Sequence, residues 1–148
     1  MSRVLVATVA VAVFGVVASV GYAIEGTASG GEDAALGPGL VTLEVDVHHS
    51  RFDLGPVRVR PGTTVQFVVN NRDPISHEIV IGDEAVHARH EHGTERVHPP
   101  VPGELSLAPL ERGTTFYEFD EPGPVRYACH LPGHVAYGME GVIEVVEP

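Results

Sequence analysis

From Leu40 onward, apolar and polar positions alternate along the chain with a period of two, as expected of strands that bury one face. The stretch LVTLEVDV puts Leu43, Val45 and Val47 on one side, and PVRVRPG puts Val57 and Val59 opposite Arg58 and Arg60. TTVQFVVNN repeats the pattern with Val65, Phe67 and Val69, then stops at the turn residues Asn70-Asn71 and Asp73-Pro74. HEIVIGD, TTFYEFDEPG, PVRYACH and GVIEVVEP follow, each short and punctuated by Gly or Pro. Some seven short strands separated by turns predict an all-β domain over residues 40–148, folded as a Greek-key β-sandwich. The alternation fails over residues 84–102, EAVHARHEHGTERVHPPVP. There DEAVHARHEH predicts a helical turn or two before Gly93, and the cluster Pro99, Pro100 and Pro102 stops any continuation.

Upstream the pattern changes twice. Val4 to Ile24 is an uncharged run of 21 residues behind Arg3. As a hydrophobic helix it is long enough to cross a hydrocarbon core of roughly 30 Å. Gly21-Tyr22-Ala23 also resembles a cleavage site, so residues 1–24 are read as a signal peptide or a membrane anchor. With Arg3 on the short side, either reading places the following domain outside the cytoplasm, periplasmic or on the outer face of the membrane. Residues 25–39, EGTASGGEDAALGPG, are read as a flexible linker.

Charge narrows the partners. The net charge is −11 with histidine neutral, and every basic residue is arginine. Nucleic acid is excluded as a ligand, because its phosphates demand a basic face. A single cysteine excludes a disulfide framework, so packing has to hold the domain together.

That cysteine sits in YACHLPGHVAYGMEG, where Cys129, His134 and Met139 follow one another at intervals of five around Pro132-Gly133. Thiolate, imidazole and thioether together form the donor set that suits copper cycling between its two common oxidation states. A second imidazole is available at His77, which opens the strand HEIVI at an end able to meet the loop. The expected set is His77, Cys129 and His134 near one plane, with Met139 as a long axial ligand. A dinuclear CuA centre needs a second cysteine, and a nucleophilic Cys-His pair lacks an orienting third residue.

These residues closely resemble those of the cupredoxins, the small blue copper proteins. CHLPGHVAYGMEG carries the Cys-x4-His-x4-Met spacing of rusticyanin-like and sulfocyanin-like members, and PVRVRPGTTVQFVVNNRDPISHEIVIGD resembles the family's block around its first histidine. The resemblance covers most of residues 50–147. It implies one type 1 copper, one-electron transfer rather than enzymatic turnover, and the exposed edge of His134 as the route for the electron. An acidic surface would then attract the cationic face of a cytochrome or an oxidase domain. Glu78 departs from the family, in which an Asn or Ser often follows the first histidine and bonds across to the cysteine loop.

Four more histidines, His87, His90, His92 and His98, form a candidate second site for copper or zinc. Their segment resembles the His- or Met-rich insertions of periplasmic cupredoxins associated with bacterial copper tolerance. That resemblance implies an alternative role in copper tolerance, with cuprous oxidase activity as its enzymatic form. Strand alternation points His130 away from the copper and toward solvent, and His48 and His49 are expected to be exposed at a strand end.

Overall fold

A computed structural model describes residues 34–93 and 101–147 of the chain. Within them lie nine strands: β1 (Gly39–Val47), β2 (Phe52–Asp53), β3 (Val57–Val59), β4 (Thr63–Asn71), β5 (His77–Gly82), β6 (Glu104–Leu107), β7 (Arg112–Phe119), β8 (Gly123–Ala128) and β9 (Glu140–Val145). One sheet has the order β2-β1-β4-β7 and the other β3-β9-β8-β5-β6. β1 runs parallel to β4, because β3 intervenes in the opposite sheet and the chain crosses the sandwich before returning. β3 and β9 are likewise parallel, and the remaining pairs are antiparallel. The β-sandwich expected from the period-two pattern is therefore present. The expected hydrophobic helix over residues 1–24 lies outside the described residues, among which no helix is long and apolar enough to cross a membrane.

The core forms where the apolar faces of the two sheets meet. Val45, Val47, Val65, Phe67 and Val69 of one sheet pack with Ile79, Ile81, Leu105, Leu107 and Ile143 of the other. Phe67 and Phe119 contact edge to face, with ring centroids 6.5 Å apart. Each such fully buried side chain contributes about 1.5–3 kcal/mol of transfer free energy.

β5 is buried on both faces, which positions everything that follows. His77, Ile79 and Ile81 turn toward the core, whereas Glu78, Val80 and Gly82 turn outward and are covered by α1 (Glu84–His92). The helix starts at Asp83, whose carboxylate accepts the amide hydrogen of Val86 at 2.9 Å, and it ends before Gly93 in extended backbone. It lacks an apolar stripe. Val86 lies so close to Gly82 that a side chain there would be crowded, and His87 is the helix residue that is fully buried.

Candidate metal centre

Three elements bring the donors together. His77 is the first residue of β5, Cys129 follows the end of β8, and His134 lies on the loop beyond Pro132-Gly133. One donor atom from each lies within 4.8 Å of the other two. Cys129 Sγ is 3.1 Å from His134 Nδ1, and the rings of His77 and His134 have centroids 4.9 Å apart. The loop holds this shape through its own backbone. His134 N–H donates to Leu131 O and Met139 N–H to His134 O, while Gly133 and Gly138 take positive φ values of 88° and 83° at the two bends. Cys129 N–H donates to Met139 O at 3.0 Å, so the fully buried Met139 runs beside the cysteine.

Three observations test whether a metal suits this pocket. First, His77 is 1% exposed and its Nδ1 has no hydrogen-bond partner. Such a buried, unsatisfied nitrogen is costly unless something occupies it. Second, His77 Nε2 lies 2.9 Å from Asp73 Oδ2, so the Nε2–H is donated to the carboxylate and the lone pair of Nδ1 is left facing the site. Third, burial pushes the Cys129 thiol up to about 11, against the opposing effect of amide hydrogens donated by Glu78 and Leu131. Those two amides are aimed at a sulfur that is uncharged without a metal and anionic with one. Burial also lowers the pKa of His134, helped by neighbouring His77 and opposed by Asp73, which keeps its imidazole neutral and available as a donor. The donor set fits copper: a thiolate and two imidazoles in a dry cleft.

Residues 40–146 match the family described as copper binding proteins of the plastocyanin/azurin family. The chain belongs to this family. Within it, the chain is 35% identical over 98 residues to the copper-resistant cuproprotein CopI of Rubrivivax gelatinosus, a match covering 64% of this chain and 59% of that one. It is 30% identical over 92 residues to CopI of Vibrio cholerae, covering 60% of this chain and 54% of that one. The chain therefore spans less than two thirds of the length of these relatives. Among solved structures, dithionite-reduced auracyanin from Roseiflexus castenholzii shares 26% identity at a TM-score of 0.59, over 71% of this chain and 96% of that one. Auracyanin A from Chloroflexus aurantiacus, at 22% identity and a TM-score of 0.56, shares the fold over 73% of this chain and all of that one. Copper is thus the metal of this cupredoxin, and His77, Cys129 and His134 form a cluster whose donor atoms fit it.

The geometry shows what Glu78 does and corrects one expectation. Glu78 links the cysteine loop to the first-histidine strand. Its Oε1 accepts the amide hydrogen of His130 at 2.8 Å, so a carboxylate performs the bridging expected of an Asn or Ser. His130 does point away from Cys129, but it is not exposed, because α1 covers that face and its side chain is 2% accessible. Of the four candidate second-site histidines, His87 is buried beside His130, His90 lies under the helix at 12% side-chain exposure, His92 is exposed, and His98 lies outside the described residues. His48 and His49 are exposed as expected. The packing partner Asp73 carried no sequence signal beyond being part of a turn, yet it orients the His77 imidazole.

Proposed function

We propose that this cupredoxin is an extracytoplasmic one-electron carrier in which His77, Cys129 and His134 would hold a type 1 copper, with Met139 as the fourth donor. The observation that carries this reading is the unpartnered Nδ1 of buried His77, turned toward a thiol and a second imidazole. Copper supplies the one-electron redox change when bound. The chain supplies a rigid frame: the strand β5 fixes His77, Asp73 fixes its tautomer, and two backbone amides stabilise negative charge on Cys129 sulfur. Burial of Cys129 and Met139 at 0% exposure keeps water from the sulfur atoms. A frame that does not have to move keeps rearrangement small on each electron transfer. The net charge of −11 favours a cationic redox partner such as a cytochrome or an oxidase domain.

Adding Cu(II) to the purified protein tests this directly. A strong sulfur-to-copper charge-transfer band, lost in Cys129→Ser and weakened or shifted in Met139→Leu, together with reversible voltammetry, is the expected outcome. A colourless protein that binds no copper would overturn it.

A second reading, a role in copper tolerance, is favoured by the relatives named copper-resistant cuproproteins. Expressing the chain in a copper-sensitive bacterium tests it: growth at raised copper that requires Cys129 supports tolerance, and equal growth with Cys129→Ser opposes it.

A further inference from the structure

Cys129 and His130 are consecutive but face opposite sides of the five-stranded sheet. Beneath α1, on the outer face, His130 Nε2 lies 2.8 Å from His87 Nδ1. The outer nitrogen of each ring also has a neighbour. His87 Nε2 lies 3.2 Å from the carbonyl oxygen of Arg126, and His130 Nδ1 lies 3.9 Å from Glu91 Oε1. His90, one turn after His87 on the same helical face, has its ring centroid 5.9 Å from that of His130.

We infer that His87 Nδ1 and His130 Nε2, with His90 as the third donor, form a second metal site for Cu(II) or Zn(II) on the outer face of the sheet. Two nitrogens that each bind one ion at about 2.0–2.1 Å stand roughly 2.8–3.4 Å apart between right and tetrahedral angles, and the observed pair already has this separation. Because the Nε2–H of His87 is donated to a carbonyl, its Nδ1 carries a lone pair aimed at His130. An ion would displace the proton now shared between the rings and lie to one side of the line joining the two nitrogens. On binding, His130 takes the tautomer with hydrogen on Nδ1, facing Glu91. His87 already has the outer carbonyl partner that metal-binding histidines characteristically have, and Glu91, 3.9 Å from His130 Nδ1, would close to hydrogen-bond distance to give His130 its own. His90 joins by turning its ring from Glu104, whose carboxylate keeps Arg89 at 2.9 Å as a partner. An open cleft of about 400 Å3 beside the site is lined by Glu91, His130, Leu131, Pro132, Val135 and Ala136.

This site goes beyond the single-copper reading and is independent of it. It also differs from a site made by the helix histidines alone, since it uses His130 and not His92.

The experiment is a titration of the whole chain with Cu(II) past saturation of the charge-transfer band, followed by gel filtration, metal analysis and paramagnetic resonance. A second retained ion with nitrogen couplings and no added charge-transfer band is expected. In His90→Ala and His130→Ala its affinity should fall at least about tenfold, since even outer partners of metal ligands are worth 10–100-fold. In His92→Ala it should be unchanged. One retained ion with the band intact, or loss of the second ion in His92→Ala but not in His90→Ala, overturns the site. Absence of the band counts against the carrier reading alone. Anomalous scattering from a Zn(II)-soaked crystal of the unaltered chain then decides the second site without any variant. A peak between His87 Nδ1 and His130 Nε2 supports it, and no peak there overturns it.

Discussion

Asp73 Oδ2 sits 2.9 Å from Nε2 of His77, and the same carboxylate accepts the amide hydrogens of His49 and Ser50 at 2.8 Å each. One side chain therefore pins both the His77 imidazole and the bend at His49 and Ser50, whose φ values are 54° and 53°. Burial by itself would raise the pKa of Asp73, but the amides of Ser50 and His49, with His77, outweigh it and hold the carboxyl below its ordinary value. Asp73→Asn should lower copper affinity about 10–100-fold, measured by chelator competition. It should cost about 1.5–3 kcal/mol of stability from the lost charge-assisted bonds. Because the folded pKa is depressed, this stabilisation is full above the ordinary carboxylate range and is lost as pH falls through it, which denaturant titrations at several acidic pH values will read out.

The Cys129 thiol has the opposite sign. Burial raises it from 9.0 to about 11, so the metal-free protein keeps its proton at neutral pH. Its contribution to metal-free stability is full below the ordinary thiol value and is lost as pH rises from about 9 to about 11. Calorimetry in buffers of different ionisation heat should show a proton released for each Cu(II) bound near neutrality. A thiol reagent should react slowly with the folded metal-free protein and fast once denaturant is added.

Glu78 ties β5 to the cysteine loop through the His130 amide. Glu78→Ala leaves that buried donor unpaired and should cost about 1–3 kcal/mol in chemical denaturation. Glu78→Gln keeps an acceptor oxygen and should recover a good part of the loss. Equal losses in the two variants would show that the negative charge, and not the hydrogen bond, is what matters.

Gly138 bends the chain at φ 83° immediately before Met139. Gly138→Ala should destabilise the protein by about 1 kcal/mol, since a Cβ is strained in that region. It should also shift the visible spectrum of the copper protein, because the bend sets where the Met139 side chain enters the core.

Much of this was legible in the linear pattern, and the gaps have physical reasons. Val65, Phe67 and Val69 announced their strand because burial of one face imposes a period of two. β2 passed unread because two residues cannot show a period, and β6 because its four residues follow directly on the proline-rich excursion. His77, Cys129 and His134 came together as expected because the cysteine loop is a local motif and His77 opens a strand at the same pole. The burial of His130 was not legible, since alternation gives the direction of a side chain but not what lies over it. The helix above it has almost no apolar pattern and docks instead through His87, His90 and Glu104. Asp73 was hidden for a similar reason: a turn aspartate looks alike whether it faces water or an imidazole.

The adjacency of Cys129 and His130 on the two sides of one sheet makes β8 unusually intolerant of length changes. Deleting or inserting one residue between Gly123 and Ala128 would exchange the sides, putting imidazole into the sandwich and sulfur beneath the helix. Substitutions can be absorbed along this strand, but its residue count cannot vary without dismantling both faces together.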